Sequence, residues 1–163
     1  MAAPEIHVYP RRALALDYAG ATAGLGISAG LLVFVRLAAP VAGVLAGSAA
    51  LFLVYFARTV CRQLTRIELD ENGIRAVGPA VLTSGAAIRW DDLRALRLDY
   101  YSTRADREGG WMQLKLADAR RTIRIDSDLE GFARVAERAV LAASRLDLAL
   151  DPGTVKNLHA LRP

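Results

Sequence analysis

The sequence predicts an α+β fold: a transmembrane hairpin of two helices, then an antiparallel bent sheet or partial barrel capped by a C-terminal α-helix. Residues 18–35 and 37–56 form two long runs without a charged side chain. From residue 64 onward, apolar residues first alternate with polar ones, which is typical of half-buried strands, and then recur at helical spacing. We therefore divide the chain into an N-terminal segment with the hairpin, residues 1–63, and a domain at 64–163.

The two uncharged runs have the length of membrane-spanning helices. They hold 18 and 20 residues. A helix rises about 1.5 Å per residue, and the hydrocarbon core of a bilayer is about 30 Å thick. Only Arg36 separates the runs and Pro40 follows soon after, which indicates a tight turn between antiparallel helices. We expect the helices at about 15–36 and 38–60.

Basic residues set the expected orientation of the hairpin. Five arginines flank its outer ends: Arg11, Arg12, Arg58, Arg62 and Arg66. The positive-inside rule then places both termini in the cytoplasm and Arg36 in a turn on the far side of the membrane. A secretory signal is the alternative interpretation of the first two arginines, but the second apolar run and Asp17 argue against it.

Glycines recur at a spacing of four in both apolar runs: Gly20, Gly24, Gly26, Gly30, Gly43 and Gly47. Because glycine lets helix backbones approach closely in lipid, these positions are candidate helix-packing sites. They serve either the packing of the two helices on each other or the docking of a partner helix or second copy. Gly20 and Gly24 differ in helical phase from Gly26 and Gly30. One face of the first helix can therefore pack on the second helix, and another face can dock a partner.

Six strands and two helices are predicted in the domain. The strands are expected at about 66–70, 74–77, 87–90, 96–101, 111–116 and 123–125. Ser127 and Glu130 have the spacing of a capping box. An apolar stripe at helical spacing follows: Leu129, Phe132, Ala136, Ala139, Val140 and Ala143. Asp151 and Pro152 fit the cap and first position of a short second helix that reaches about Leu161.

Two short segments of the domain carry recognisable motifs: IELDENGI at 67–74 and IRWDDL at 88–93. They resemble the bacterial pleckstrin-homology-like (PH-like) domains that follow paired transmembrane helices, in which a D-x-x-G hairpin precedes an I-x-W-x-D-I/L segment. The likeness covers about residues 64–145 and, by arrangement, the preceding hairpin. It implies a bent sheet capped by a helix in a multi-pass protein of the bacterial inner (cytoplasmic) membrane.

The resemblance transfers no chemistry to individual residues. Its motifs are structural, since Gly73 makes a turn, Trp90 fills the core and Asp91 caps a turn. Pleckstrin-homology domains that bind phosphoinositides carry basic residues around the first hairpin loop, whereas this loop contains Asp70 and Glu71. We therefore expect no phosphoinositide site in the loop.

No catalytic, metal or cofactor site is predicted. His7 and His159 lack partners at metal-ligand spacing. Cys61 is the only cysteine and has no nearby histidine to activate it. From residue 64 onward, 16 basic side chains face 15 acidic ones, without the positive excess of a nucleic-acid-binding domain. We expect a protein that is not an enzyme, needs no cofactor and does not bind nucleic acid.

One strand face is the candidate surface for a partner or for lipid. Its residues share the outward phase of their strands or lie in the adjacent turn: Arg97, Tyr101, Trp111, Lys115, Arg120, Arg121 and Arg124. Exposed aromatic residues beside arginines are typical of interface anchors. Asp99 shares the face, so a mixed, solvated surface is the alternative interpretation. The polar loop at 102–110 is a further candidate binding segment.

These observations lead to a functional hypothesis. We expect an adaptor, assembly factor or accessory subunit of a larger integral-membrane protein complex, or a chain that self-associates through the hairpin. The alternative is a module that senses anionic lipid. A small transporter or enzyme component is the least favoured class, because no ionisable pair lies at mid-membrane depth.

Overall fold

The computed structural model describes residues 4–36, 38–79, 86–102 and 110–161, and the predicted α+β fold is confirmed. Strand β1 at Glu5–Val8 precedes two long helices, α1 at Ala15–Phe34 and α2 at Ala39–Gln63. Six more strands are β2 at Arg66–Leu69, β3 at Gly73–Val77, β4 at Ala87–Arg89, β5 at Ala95–Tyr101, β6 at Trp111–Ala117 and β7 at Thr122–Asp126. A 3-10 helix at Trp90–Asp92 follows β4, and the last elements are α3 at Phe132–Arg145 and α4 at Pro152–Leu161.

The chain forms two compact units whose boundary differs from the sequence-based division in one respect. Pro10–Leu64 form the helical unit, and the chain from Thr65 onward belongs to the other, close to the expected division after residue 63. However, β1 belongs to this second unit, since it pairs antiparallel with β2 and places Val8 opposite Arg66. The sequence division grouped this segment with the hairpin. The hairpin is therefore an insertion in the chain between two neighbouring strands of one sheet.

α1 and α2 pack against each other as antiparallel helices. Tyr18, near the start of α1, packs edge-on against Phe56 with ring centroids 5.6 Å apart, while Gly24, later in α1, faces Phe52, earlier in α2. α2 continues to Gln63, whose Oε1 accepts a hydrogen bond from Tyr18 Oη at 2.6 Å. Both helices are long and apolar enough to cross a membrane.

Strands β1 to β4 form one antiparallel sheet in chain order, and the predicted turn between β2 and β3 is present. Asp70 Oδ1 accepts hydrogen bonds from the backbone N–H groups of Asn72 (2.8 Å) and Gly73 (2.7 Å). Glycine is needed here, because a Cβ would collide with the carbonyl oxygen of Ile88. Trp90 is half buried rather than part of the core, and its Nε1 donates to the Asp70 carbonyl at 3.1 Å. The two motif segments therefore contact each other.

Strands β5, β6 and β7 form a second antiparallel sheet, and within the described ranges the two sheets do not close into a barrel. Alternate side chains of both sheets are buried in the core, including Ile67, Ile74, Ile88, Leu98, Leu114, Leu116 and Ile125. α3 adds Phe132, Val135, Ala136, Ala139, Ala142 and Ala143. The predicted stripe of α3 is thus buried, with Val140 at its half-buried margin.

The predicted capping box before α3 is wrong. The helix begins at Phe132 after Gly131, which has a φ of 75°, and no side chain caps it. Ser127 instead extends the ladder between β6 and β7. Its N–H donates to the Met112 carbonyl at 2.8 Å, and its Oγ accepts from the Met112 N–H at 3.0 Å. Because its hydroxyl satisfies a strand amide, Ser127 does not serve the helix.

The predicted cap of the last helix is confirmed. Asp151 Oδ1 accepts a hydrogen bond from the Thr154 N–H at 3.1 Å, and α4 begins at Pro152. This is the cap position that the sequence indicates, with an acidic side chain satisfying an otherwise unpaired amide of the first turn. α4 packs along β5.

Candidate functional site

The outer face of the second sheet brings together most of the residues predicted as a binding surface. We define it by the outward side chains of its three strands: Arg97, Asp99, Tyr101, Trp111, Lys115 and Arg124. The strand register places Tyr101 opposite Trp111, Arg97 opposite Lys115, and Lys115 opposite Arg124. Side chains directly opposite in an antiparallel pair lie close enough to interact.

An aromatic pair occupies one end of the outer face. The rings of Tyr101 and Trp111 stack with centroids 4.6 Å apart and an interplanar angle of 23°. They remain 39% and 41% exposed. Lys115 Nζ donates to Tyr101 Oη at 3.2 Å and lies 5.9 Å from the ring centroid. The pair offers a preformed flat apolar surface with a polar rim, the combination that aromatic residues bring to interfaces.

A charge network occupies the middle of the outer face. Asp99 accepts hydrogen bonds from Arg97 Nε at 2.7 Å and Lys115 Nζ at 2.8 Å. The hydrogen bond from Lys115 is the largest cause that lowers the pKa of Asp99, with a further contribution from Arg97. The same contact with Asp99 raises the pKa of Lys115, helped by the hydrogen bond to Tyr101. Two of the predicted basic residues are therefore partly neutralised by a carboxylate that they share.

The structure does not bring Arg120 and Arg121 to the aromatic pair. Both lie in the turn after β6, where Asp118 Oδ1 accepts from each of their backbone N–H groups at 2.6 Å, and this lowers the pKa of Asp118. At about 3.3 Å per strand residue, the turn lies about 20 Å from Trp111, at the other end of β6. Among the residues that the structure describes, neither arginine nor Arg124 makes an ion pair within 4.0 Å. The outer face therefore has an aromatic end and a basic end.

The glycines of the hairpin fall into two groups. Gly24 serves the packing of α1 on α2, because a Cβ there would collide with the ring of Phe52. At the other five positions an added Cβ would meet nothing within 4 Å: Gly20, Gly26, Gly30, Gly43 and Gly47. These five do not serve the packing of the described hairpin, and docking of another helix on them stays a prediction.

A polar cluster lies near the outer end of the hairpin. Asp17 pairs with Arg62, with 3.8 Å between Oδ2 and Nη1. Tyr55 Oη also donates to Asp17 Oδ1 at 2.7 Å. The tyrosine was missed because its approach to Asp17 depends on the register between the two helices. No signal along either helix alone gives that register.

The two histidines lie apart from each other and contact structural elements of the domain. His7 Nδ1 donates to the Glu130 carbonyl at 2.9 Å, and His159 lines a groove between α3 and α4. No group of three metal-ligating side chains occurs within residues 4–36, 38–79, 86–102 and 110–161. Of the candidate loop at 102–110, Ser102 and Gly110 are described, and its other residues lie outside the described part of the chain.

Neither protein-family models, nor curated proteins, nor solved structures gave a match to this chain.

Proposed function

We propose that this chain is a non-catalytic adaptor, assembly factor or accessory subunit of a protein complex in the bacterial inner membrane. α1 and α2 anchor it as a multi-pass protein with both termini in the cytoplasm. The PH-like domain presents the outer face of the second sheet to a neighbouring protein of that complex.

The connection through the sheet is the observation that carries the anchoring part of the proposal. β1 precedes the hairpin and β2 follows it, yet the two strands pair with Val8 opposite Arg66. Strands of one sheet lie on one side of a membrane, so an even number of crossings must separate them. Two helices of suitable length satisfy that condition. The flanking arginines favour the cytoplasm for that side.

The aromatic end of the outer face supports the docking part of the proposal. Tyr101 and Trp111 are held by each other and by Lys115, so little side-chain freedom is lost when a partner covers them. Tyrosine and tryptophan dominate the binding energy of many interfaces, and a network of exposed polar groups forms the usual rim. Arg97, Asp99 and Lys115 supply such a rim.

Cysteine labelling in spheroplasts tests the anchoring. In a Cys61→Ser background, single cysteines replace Arg36 in the hairpin turn or Ser102 after β5. A membrane-impermeant maleimide should label the first in intact spheroplasts and the second only after permeabilisation. Labelling of both positions, or of neither, in intact spheroplasts would refute the two-span arrangement.

Affinity capture from native membranes in mild detergent tests the docking face. We expect Tyr101→Ala with Trp111→Ala to lose a stoichiometric partner that the unaltered chain retains. Tyr100→Ala is the matched control, because this tyrosine is also exposed but belongs to the opposite phase of β5. Equal recovery of the partner with the double variant would remove the outer face from the proposal.

A second pair of variants separates docking through the domain from docking through the hairpin. Gly43→Leu places bulk where nothing now lies within 4 Å, whereas Gly24→Leu disturbs the hairpin itself. If a helix of the partner packs on the hairpin, Gly43→Leu should weaken capture while the protein stays folded. Unchanged capture would remove Gly43 from the candidate docking positions.

Binding of anionic lipid is the second candidate, and the basic end of the outer face favours it. Arg120, Arg121 and Arg124 carry charges without ion pairs among the described residues, and each basic residue near an anionic surface contributes about 1 kcal/mol. In nanodiscs, anionic rather than zwitterionic lipid should slow amide exchange in residues 118–124, and salt should reverse this effect. Changing the three arginines to glutamine should abolish the difference, whereas the same changes at Arg75, Arg138 and Arg145 should not. Identical exchange in both lipids would exclude this candidate.

A further inference from the structure

The outer edge of β5 carries an unusual pair of contacts. Among the described strands β5 pairs only with β6, so the backbone groups on its other edge have no neighbouring strand. At the centre of that edge, the Leu98 N–H donates to Thr154 Oγ1 at 3.0 Å, and the Leu98 carbonyl accepts from Asn157 Nδ2 at 2.7 Å. Two side chains of α4 thus stand where the carbonyl and amide of an adjacent strand would stand.

α4 is attached mainly through these polar contacts. Thr154 is 1% exposed and is the only buried residue of the helix. Its Oγ1 also donates to Asp151 Oδ2 at 2.6 Å, which ties the contact with β5 to the cap of the helix. On its other side, α4 is separated from α3 by a groove of about 530 Å³ lined by apolar residues such as Val140, Leu141 and Leu158. An element with one buried residue opens more easily than the core.

The sequence of β5 is complementary to itself about Leu98. If two copies of β5 pair antiparallel with the two Leu98 residues opposite, Arg97 of each copy faces Asp99 of the other. Opposite charges directly across an antiparallel pair stabilise it. The same register joins the outward backbone groups of Leu96 to those of Tyr100 in the second copy, because these residues share the phase of Leu98.

We propose that the edge of β5 is a pairing site for β5 of a second copy of this chain, and that α4 is the built-in competitor that occupies it. Release of α4 exposes the amide and carbonyl of Leu98, and the second copy replaces Thr154 and Asn157 with its own backbone. Two three-stranded sheets then become one continuous sheet. Anchoring in a common membrane raises the effective concentration of the copies.

The test releases α4 in the full chain reconstituted in detergent or nanodiscs. Thr154→Val with Asn157→Leu keeps the shape of the contact but removes both hydrogen bonds, so the amide of Leu98 should exchange about tenfold faster or more. Sedimentation velocity should then show a dimer that the unaltered chain lacks at the same concentration. The control pair Thr122→Val with Lys156→Ala changes exposed positions and should leave the chain monomeric.

A disulfide checks the register. In the released variant with Cys61→Ser, copies carrying Arg97→Cys are mixed with copies carrying Asp99→Cys. The mixture should form an intermolecular disulfide. Positions 97 and 99 of the two copies face each other as a non-hydrogen-bonded pair, in which the Cα atoms lie about 4.5 Å apart. Each variant alone should form far less. In the same background Arg97→Asp should weaken the dimer, and adding Asp99→Arg should restore it.

Each result of these experiments either supports or refutes the pairing of two β5 strands. Faster exchange at Leu98 without a dimer would refute the pairing, as would a dimer whose disulfides ignore the register. If hydrogen exchange in the double variant becomes faster throughout β6, the domain itself has been destabilised. The milder variant Asp151→Asn, which weakens only the cap of α4, is then used in its place. A dimer that increases in step with the exchange of Leu98 would support the proposal, and a monomer at every degree of opening would refute it.

Discussion

α3 and α4 follow each other in the chain, but they are held by different physical effects. α3 buries six residues, among them Phe132 at 5% exposure, in the core beneath the sheets. α4 buries one threonine and is held at the sheet edge by hydrogen bonds to Leu98. Burial of apolar surface is cooperative with the whole core, whereas edge hydrogen bonds can break locally. The comparison therefore predicts that damage to α3 unfolds the domain and damage to α4 frees only that helix.

Phe132→Ala should have the largest effect. It removes a buried aromatic side chain from α3 and should lower the free energy of unfolding of the domain by about 3–5 kcal/mol. Denaturant titration of the full chain in detergent, followed by tryptophan fluorescence, measures this change. Leu141→Ala is the control on the same helix, because Leu141 is 50% exposed, and its effect should stay within about 0.5 kcal/mol. Equal effects of the two variants would contradict the role assigned to the buried stripe.

Thr154→Val should have a smaller and local effect. It leaves the buried N–H of Leu98 without an acceptor, which costs about 1–3 kcal/mol for an unsatisfied group. Hydrogen exchange should rise at Leu98 and throughout α4, while amides of Leu114 and Leu116 in β6 keep their protection. A uniform loss of protection in both sheets would show that α4 belongs to the same cooperative unit as α3.

Acid should loosen α4 by a still smaller amount. The hydrogen bond from the Thr154 side chain is the largest cause that lowers the pKa of Asp151. A carboxylate with a lowered pKa in the folded state stabilises that state above its unfolded pKa of about 3.9, and this stabilisation is lost as pH falls through the lower folded value. Exchange of Leu98, corrected for intrinsic rates, should therefore increase below about pH 3.9. Asp99 also has a lowered pKa and contributes part of this pH dependence. Asp151→Asn should remove the remaining part. If the exchange of Leu98 depended on pH in the same way in this variant, the role assigned to Asp151 would be contradicted.

Glu5→Gln should have the smallest effect. Glu5 accepts two hydrogen bonds from Arg134 of α3, at 2.7 and 2.8 Å, but the pair lies on the surface. Exposed ion pairs contribute little because water already solvates both partners. The denaturation midpoint should shift far less than in Phe132→Ala, and high salt should reduce the difference further. A shift as large as that of Phe132→Ala would mean that β1 depends on this ion pair for its pairing.

The elements that a local pattern encodes could be predicted from the sequence. The two apolar runs gave both hairpin helices, the Asp70–Gly73 turn is present where expected, and Asp151 caps α4. In each case residues a few positions apart determine the structure, so the chain near them contains the whole signal.

The elements that depend on distant partners could not be predicted. β1 is short, and its apolar residues Ile6 and Val8 are exposed while His7 is half buried, so its alternation does not point to a core. Only pairing with β2, beyond the whole hairpin, makes it a strand. The charges of the outer face were placed correctly by strand phase, but their neutralisation by Asp99 depends on the register between β5 and β6. Likewise, nothing near Leu98 indicates that Thr154 completes its hydrogen bonding.

In the proposed two-span topology, the position of the hairpin between β1 and β2 also makes domain folding a check on membrane insertion. β1 is synthesised first, and its partner β2 becomes available only after both helices have been made. A chain in which only one helix crossed the bilayer would hold the two strands on opposite sides, and the first sheet would keep an unpaired edge at β2. Such a chain would expose the edge of an incomplete domain to proteases and chaperones. Correct topology thus becomes visible to the cell as a completed sheet.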